Sequence, residues 1–257
     1  MSDKESENFD KDKNKSKKPS KKVLYALILI VVIIATAIVL FNDFSSNQSQ
    51  DINQTFEMNK KPAKLIGNNS IGSVYFEGPY GNEDSKVKIA YILGQHPRER
   101  NAHEGIYKSL ITESKNLKYA YYIYNISVKE DTVDFEDSRM NGQLLAQKYV
   151  VKHVNKRNYD LVIDVHASNG AYIPDSYIFS ALDYDKKGVK IAKSLTKSLK
   201  WLVYYTPASY SSPQYSTIPI AENGTPAIIL EIYGNPDMSV ENQSLKFVHG
   251  VDNLTLG

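Results

Sequence analysis

Three short runs in this chain are apolar on both alternating sets of positions: Val87–Leu93 with only Lys88 as an exception, Leu161–Val165 with only Asp164, and Ala227–Leu230 with none. A strand that is apolar on both faces needs cover on both faces, and helices packed above and below a parallel sheet supply it. Further strand-like runs, Ser73–Phe76, Ala120–Val128, Tyr177–Ala181 and Trp201–Tyr205, alternate with helical stretches. That order predicts an α/β fold, a mostly parallel or mixed sheet flanked by helices. Met140, Leu144, Val151 and Val154 recur at helical spacing, as do Ile191, Leu195 and Leu199, so each set is expected to form an apolar stripe facing the sheet.

Each of the three runs terminates in residues that carry metal or proton chemistry. Val87–Leu93 leads into Gly94-Gln95-His96-Pro97-Arg98-Glu99, Leu161–Val165 into His166, and Ala227–Leu230 into Glu231. Ligands of open parallel sheets sit at the carboxyl ends of strands, so the three segments are expected to meet there. His96, Glu99 and His166 form a set that holds a zinc ion with a position left open for water, and Pro97 makes the link between the first two rigid. Glu231 follows an apolar or small stretch, Pro226–Leu230, and such surroundings raise the pKa of a carboxyl. A raised pKa suits a general base that later returns its proton as an acid.

Plainer readings stand beside these. Glu99 also suits a helix start, where the dipole favours a carboxylate, and Glu231 also suits an ion pair. Asp164, two residues before His166 on the same strand face, either accepts the second N–H of that ring or caps the following turn. His103 and Glu104 would share a helix with His96 only if Pro97 did not interrupt it, so they are expected to be structural or supporting residues. His153 and His249 are expected on the surface.

His96-Pro97-Arg98-Glu99 resembles the His-x-Arg-Glu motif of zinc carboxypeptidases, and Asp164-Val165-His166 and Leu230-Glu231 resemble the third-ligand and catalytic-glutamate segments of that superfamily. The resemblance covers roughly Val87 to Gly234. The superfamily includes the succinylglutamate desuccinylase and aspartoacylase branch, whose compact core the short interval from Glu99 to His166 is similar to. The resemblance implies zinc as cofactor, Glu231 as the catalytic carboxylate, and Arg98 as a substrate-contacting group that polarises a carbonyl. Arg139, with Asn141 beside it, is the candidate for gripping a substrate carboxylate. Carboxypeptidases place an Asn and an Arg adjacently, whereas Met140 separates these two; the alternative is that Arg139 pairs with Glu136 or Asp137.

The amino-terminal part reads differently. Residues 1–22 hold eight Lys and five acidic residues and nothing to bury, as expected of a disordered cytoplasmic tail. Val23–Phe41 is 19 residues without a charge, about 28 Å long as a helix against a hydrocarbon thickness of ~30 Å. One transmembrane helix is expected there, with the basic flank inside and the remainder outside the cytoplasm. A cleaved signal peptide using Ala35-Thr36-Ala37 is the competing reading, but the apolar run outlasts an ordinary one. Residues 42–64, polar and aperiodic, read as a flexible stalk, and residues 65–257 as the hydrolase domain.

Taking the tail's charges from the totals of 31 basic and 29 acidic residues leaves 23 and 24, so no basic nucleic-acid footprint remains. The absence of cysteine excludes a thiol nucleophile, a thiolate metal ligand and a disulfide framework. An anchored, outward-facing zinc hydrolase would meet cell-envelope or external peptides. Deacylation of N-acyl amino acids, and a non-catalytic binding protein on the same fold, are the alternatives. Nineteen tyrosines, four of them between Tyr119 and Tyr124, suit a half-buried sheet, and the aperiodic segment Tyr204–Tyr215 suits a wall of the site.

Overall fold

The computed structural model describes residues 21–129, 135–171 and 174–256, and the chain divides into two units between Asn53 and Gln54. Most of the tail expected at residues 1–22 lies outside the described residues. Helix α1 (Lys21–Asn59) contains the whole of Val23–Phe41 and continues where a flexible stalk was expected; its Ser-, Asn- and Gln-rich second half contains no Gly or Pro to break it. No helix among the described residues is long and apolar enough to cross a membrane. The side chains of Leu24, Ala26, Leu27 and Ile28 fall outside the described residues.

The second unit is built on one eight-stranded mixed sheet in the order β1-β2-β4-β3-β5-β8-β6-β7. The strands are β1 (Lys64–Asn69), β2 (Gly72–Gly81), β3 (Lys88–Leu93), β4 (Ala120–Val128), β5 (Leu161–Ala167), β6 (Tyr177–Phe179), β7 (Val203–Tyr204) and β8 (Ala227–Ile232). β4, β3, β5 and β8 run parallel in the middle; β2 joins antiparallel to β4 and β1 antiparallel to β2 on one side, and the parallel β6–β7 pair joins antiparallel to β8 on the other. The parallel centre is thus where the doubly apolar runs are, and the antiparallel additions are where the sequence alternates or is short.

Alternation along the central strands sorts their side chains onto two faces. Ile89, Tyr91 and Leu93 of β3, with Leu161, Ile163 and Val165 of β5, pack in one cluster with Ile106 and Leu110 of α2 (Arg100–Thr112), Leu195 of α5 (Lys186–Ser198) and Phe247 of α7 (Val240–Asp252). Ala90, Ile92 and Val162 face the other way, against Val150 and Val154 and against Ile220 of α6 (Thr217–Glu222). Each fully buried Leu or Ile in these layers contributes roughly 1.5–3 kcal/mol. Asp164 and His166 share the Val162 face. The sheet face that carries α6 and the helices before β5 is therefore the one on which the polar residues of β5 emerge.

Those helices differ from the expected stripe. α3 (Phe135–Leu145) runs into a π-turn, Ala146–Val151, and a last short turn, α4 (Lys152–Val154). Val151 and Val154 are buried as expected, but Met140 and Leu144 are each 40% exposed. The π-turn holds an extra residue, which rotates the faces before and after it relative to one another. Ser138, Gly142, Gln143, Leu145 and Ala146 face inward instead. The apolar stripe of α5 agrees with expectation, Leu195 being buried and Ile191 and Leu199 partly so.

Candidate metal centre

β3 ends at Leu93, and Gly94 turns the chain with φ +83°, where an added Cβ would stand 2.1 Å from the Ile126 carbonyl oxygen. Only glycine satisfies both constraints at once. The chain then delivers His96, followed by a 3₁₀ turn over Pro97–Glu99 in which the Glu99 N–H donates to the His96 carbonyl at 3.0 Å. That single turn brings the Glu99 carboxylate back onto the ring it follows: Oε1 lies 2.9 Å from His96 Nδ1. His166 enters from β5, with its Nδ1 2.8 Å from Glu99 Oε2 and 2.9 Å from His96 Nδ1. One ligand atom from each of the three residues lies within 4.8 Å of the others. The Ala167 N–H steadies Glu99 Oε2 from the side at 3.2 Å.

The charges are uneven. Burial, and then His166, push the His96 imidazole down to about 4, so this ring is neutral at pH 7. Burial alone would raise the Glu99 carboxyl, but His166 and His96 hold it well below the carboxylate range. Burial would also lower His166, yet Asp164 and Glu99 on either side carry it well above an ordinary imidazole. Two ring nitrogens that face one another at hydrogen-bond distance, with a carboxylate on both, make a centre that requires a positive charge. A divalent cation meets that requirement and displaces the proton. Two imidazoles and one carboxylate are the donor set of catalytic zinc, so these residues fit that ion.

Support comes from behind His166. Its Nε2 lies 3.3 Å from Asp164 Oδ1, and Asp164 Oδ2 accepts a 2.6 Å hydrogen bond from Ser216 Oγ, with all three side chains buried. Of the two roles open to Asp164 in the sequence, the orienting one matches these distances. Glu231 stands directly opposite His166 in the β5–β8 register. Burial pushes its carboxyl up to about 7; His166 pulls it partly back, while Glu99 and Asp164 add to the rise.

The remaining expected residues are more dispersed. Arg139, on α3, donates from Nη1 to Glu99 Oε1 at 2.8 Å. One of its donors is thus spent on a carboxylate of the centre. Arg98 is exposed on the 3₁₀ turn, and Asn141 lies half-buried on α3. His103 is buried, with Nε2 2.9 Å from the Val165 carbonyl oxygen, and fastens α2 to β5, as a structural residue should. His249 pairs at the surface with Glu113. His153 departs from its expected surface role: half-buried, it packs edge-on to Phe76 and meets the Tyr124 hydroxyl through Nδ1 at 2.8 Å.

Sequence reasoning did not reach Gln143 or Ser216, and it gave Ser211 no role beyond its place in the Tyr204–Tyr215 segment. Gln143 Nε2 lies 3.1 Å from His96 Nε2 and 3.3 Å from Ser211 Oγ. The segment Tyr204–Tyr215, expected as a wall of the site, thus reaches the centre's supports through Ser211 and Gln143, and Ser216 just beyond it holds Asp164. Nothing in the sequence marks these residues, because polar side chains on a helix and in a Ser-rich loop ordinarily face water. Beside Pro97 a cleft of about 510 Å³ runs past Tyr75, Arg100, Glu104 and Tyr107.

No family model and no curated protein matches this sequence. Solved structures do. The chain is similar to metallo-carboxypeptidases. To the metallo-carboxypeptidase of Burkholderia cenocepacia it is 10% identical with a TM-score of 0.49, over 80% of this chain and 67% of that one. A carboxypeptidase A-type protein from Shewanella denitrificans gives 16% and 0.48, over 80% and 67%. The tripeptide-bound cell shape determinant protein Csd4 of Helicobacter pylori gives 12% and 0.44, over 70% and 54%.

Proposed function

We propose that this protein is a zinc-dependent hydrolase that cleaves an amide bond near a substrate carboxylate, working on cell-envelope or external peptides from a membrane anchor. The observation that carries this reading is the convergence of His96, Glu99 and His166, with a carboxyl of pKa about 7 directly opposite one of them. His96 and His166 through Nδ1, and Glu99 through its carboxylate, would hold the ion. When bound, zinc supplies a Lewis acid and lowers the pKa of water.

The chain's own groups account for the proton movements. Glu231 takes a proton from the attacking water as it adds to the carbonyl carbon, and delivers it to the departing amine; a carboxyl near 7 does both at neutral pH. Asp164, held by Ser216, keeps the His166 ring turned with Nδ1 toward the centre. Arg139 has a guanidinium beside the centre and is 27% exposed, so it can keep Glu99 with one nitrogen while another meets a substrate carboxylate. Arg98, exposed on the ligand-bearing turn, is the group proposed to polarise the scissile carbonyl, and Asn141 the one that assists Arg139.

The anchor is supported by the uncharged Val23–Phe41 run, by the helical state of that run, and by its lysine-rich flank. Side chains such as Leu29, Val31, Leu40 and Phe41 are between 61% and 70% exposed, which suits lipid better than water. The test is zinc content of the full chain against His96→Ala and His166→Ala, followed by release of amino acids from peptides. One zinc per chain, lost in both variants, with hydrolysis lost in Glu231→Gln, supports the reading. Wild type that takes up no zinc overturns it.

A further inference from the structure

An imidazole that binds a cation through Nδ1 must carry its remaining proton on Nε2, and a buried N–H needs an acceptor. For His166 the group facing Nε2 is the Asp164 carboxylate, its Oδ1 at 3.3 Å in an ion-pair contact. For His96, whose side chain is 2% exposed, the neighbour at Nε2 is the amide of Gln143 at 3.1 Å. We propose that Gln143 is the positioning residue of the His96 ligand, its amide oxygen accepting the Nε2–H and fixing the tautomer that turns the Nδ1 lone pair toward the metal.

The inference rests on the metal reading above, and three observations lead to it. Gln143 is itself 2% exposed, while its neighbours Met140 and Leu144 on the same helix are each 40% exposed. Its amide nitrogen now faces His96 Nε2, while its Oε1 is buried without a partner. A half-turn of the terminal amide, which leaves its shape unchanged, puts Oε1 against the Nε2–H. The Ser211 hydroxyl, at 3.3 Å from the same amide corner, can donate to that oxygen as readily as it now accepts. Gly142 is the third observation: a Cβ there would meet the Gln95 carbonyl oxygen at 1.8 Å, so α3 approaches the ligand-bearing strand end as closely as a helix can. The two imidazoles are thus held by partners of different charge, a carboxylate behind His166 and a neutral amide behind His96.

The test is apparent zinc affinity by chelator competition on the full chain, for wild type, Gln143→Met and Gln143→Glu, together with the visible spectrum of the cobalt(II) form and the thermal midpoint of the metal-free proteins. Methionine fills the same space without an acceptor, and zinc binding is expected to weaken about 10–100-fold. Glutamate restores an acceptor and is expected to bind zinc as tightly as wild type or more so, with the cobalt spectrum retained. Methionine binding within twofold of wild type overturns the proposal. Equal losses in both variants also overturn it, because packing alone would then explain the residue. Wild type without zinc removes the metal site itself, and this inference with it.

Discussion

Replacing Gly142 by alanine sets two known effects against each other. In an ordinary helix the change stabilises by roughly 1 kcal/mol, through lower backbone entropy in the unfolded chain. Here the new Cβ would sit 1.8 Å from the Gln95 carbonyl oxygen and 2.7 Å from its carbon, where ordinary contact begins at 3.4 Å. Going from 1.8 to 3.4 Å requires a local retreat of about 1.6 Å between α3 and the chain just before His96. The obstacle is backbone and cannot swing aside, so overpacking of about 1–3 kcal/mol is expected. The net expectation is a loss of up to ~2 kcal/mol, or a fall of a few degrees in the thermal midpoint of a unit of this size. The same retreat takes the Gln143 amide well beyond its 3.1 Å separation from His96 Nε2. Zinc affinity should therefore fall together with stability. Thermal unfolding of the metal-free protein and chelator competition measure the two separately. An alanine variant with a raised midpoint and unchanged affinity would refute the close approach as a rigid feature of the site.

Glu231→Gln should abolish peptide hydrolysis and leave zinc stoichiometry intact, since the residue faces His166 across the strands without belonging to the ligand set; activity above a hundredth of wild type would exclude it as the base. Ser216→Ala leaves the buried Asp164 carboxylate short of its 2.6 Å donor, and is expected to weaken zinc binding by about tenfold, read by the same competition assay. Ile163→Ala, at the centre of the core and fully buried, should cost about 2–5 kcal/mol in urea unfolding; a loss under ~1 kcal/mol would contradict the packing described. His153 provides a pH test remote from the metal. Burial, then Arg157, lowers its ring to about 4 in the folded protein against 6.5 unfolded. The unfolded chain takes up a proton first, so this contribution to stability is complete above about pH 6.5 and declines as the pH falls toward 4. Urea midpoints at pH 7 and pH 5 should diverge less in His153→Gln than in wild type, and equal divergence would dismiss the assignment.

The residues of the metal centre were legible because each stands at the end of a doubly apolar run, and such runs can only be interior parallel strands with their carboxyl ends aligned. β1, α6 and α7 were not foreseen: β1 is polar and half-exposed, and α6 is a single short turn after a loop. The inward face of α3 was misjudged for a more general reason. Hydrophobic periodicity reports the face that meets an apolar core, whereas α3 meets a polar centre, and the π-turn after it offsets its register from the buried valines that follow. His153 was misjudged because a polar residue in mid-helix beside Lys152 reads as solvated, while its ring in fact enters a cluster of aromatic side chains brought in from β2 and β4.

What the sequence determines by itself is local and chemical: which runs are interior strands, which residues end them, and that a short turn through Pro97 returns Glu99 to His96. The tertiary structure decides everything that depends on residues distant along the chain. The His96–His166 separation, the strand register that sets Glu231 opposite His166, the pairing of Arg139 with Glu99, and the supports Ser216 and Gln143 all join segments some 40 to 70 residues apart. No local preference encodes such contacts. They follow from helices covering a twisted sheet on both faces, which leaves only certain polar side chains within reach of the strand ends.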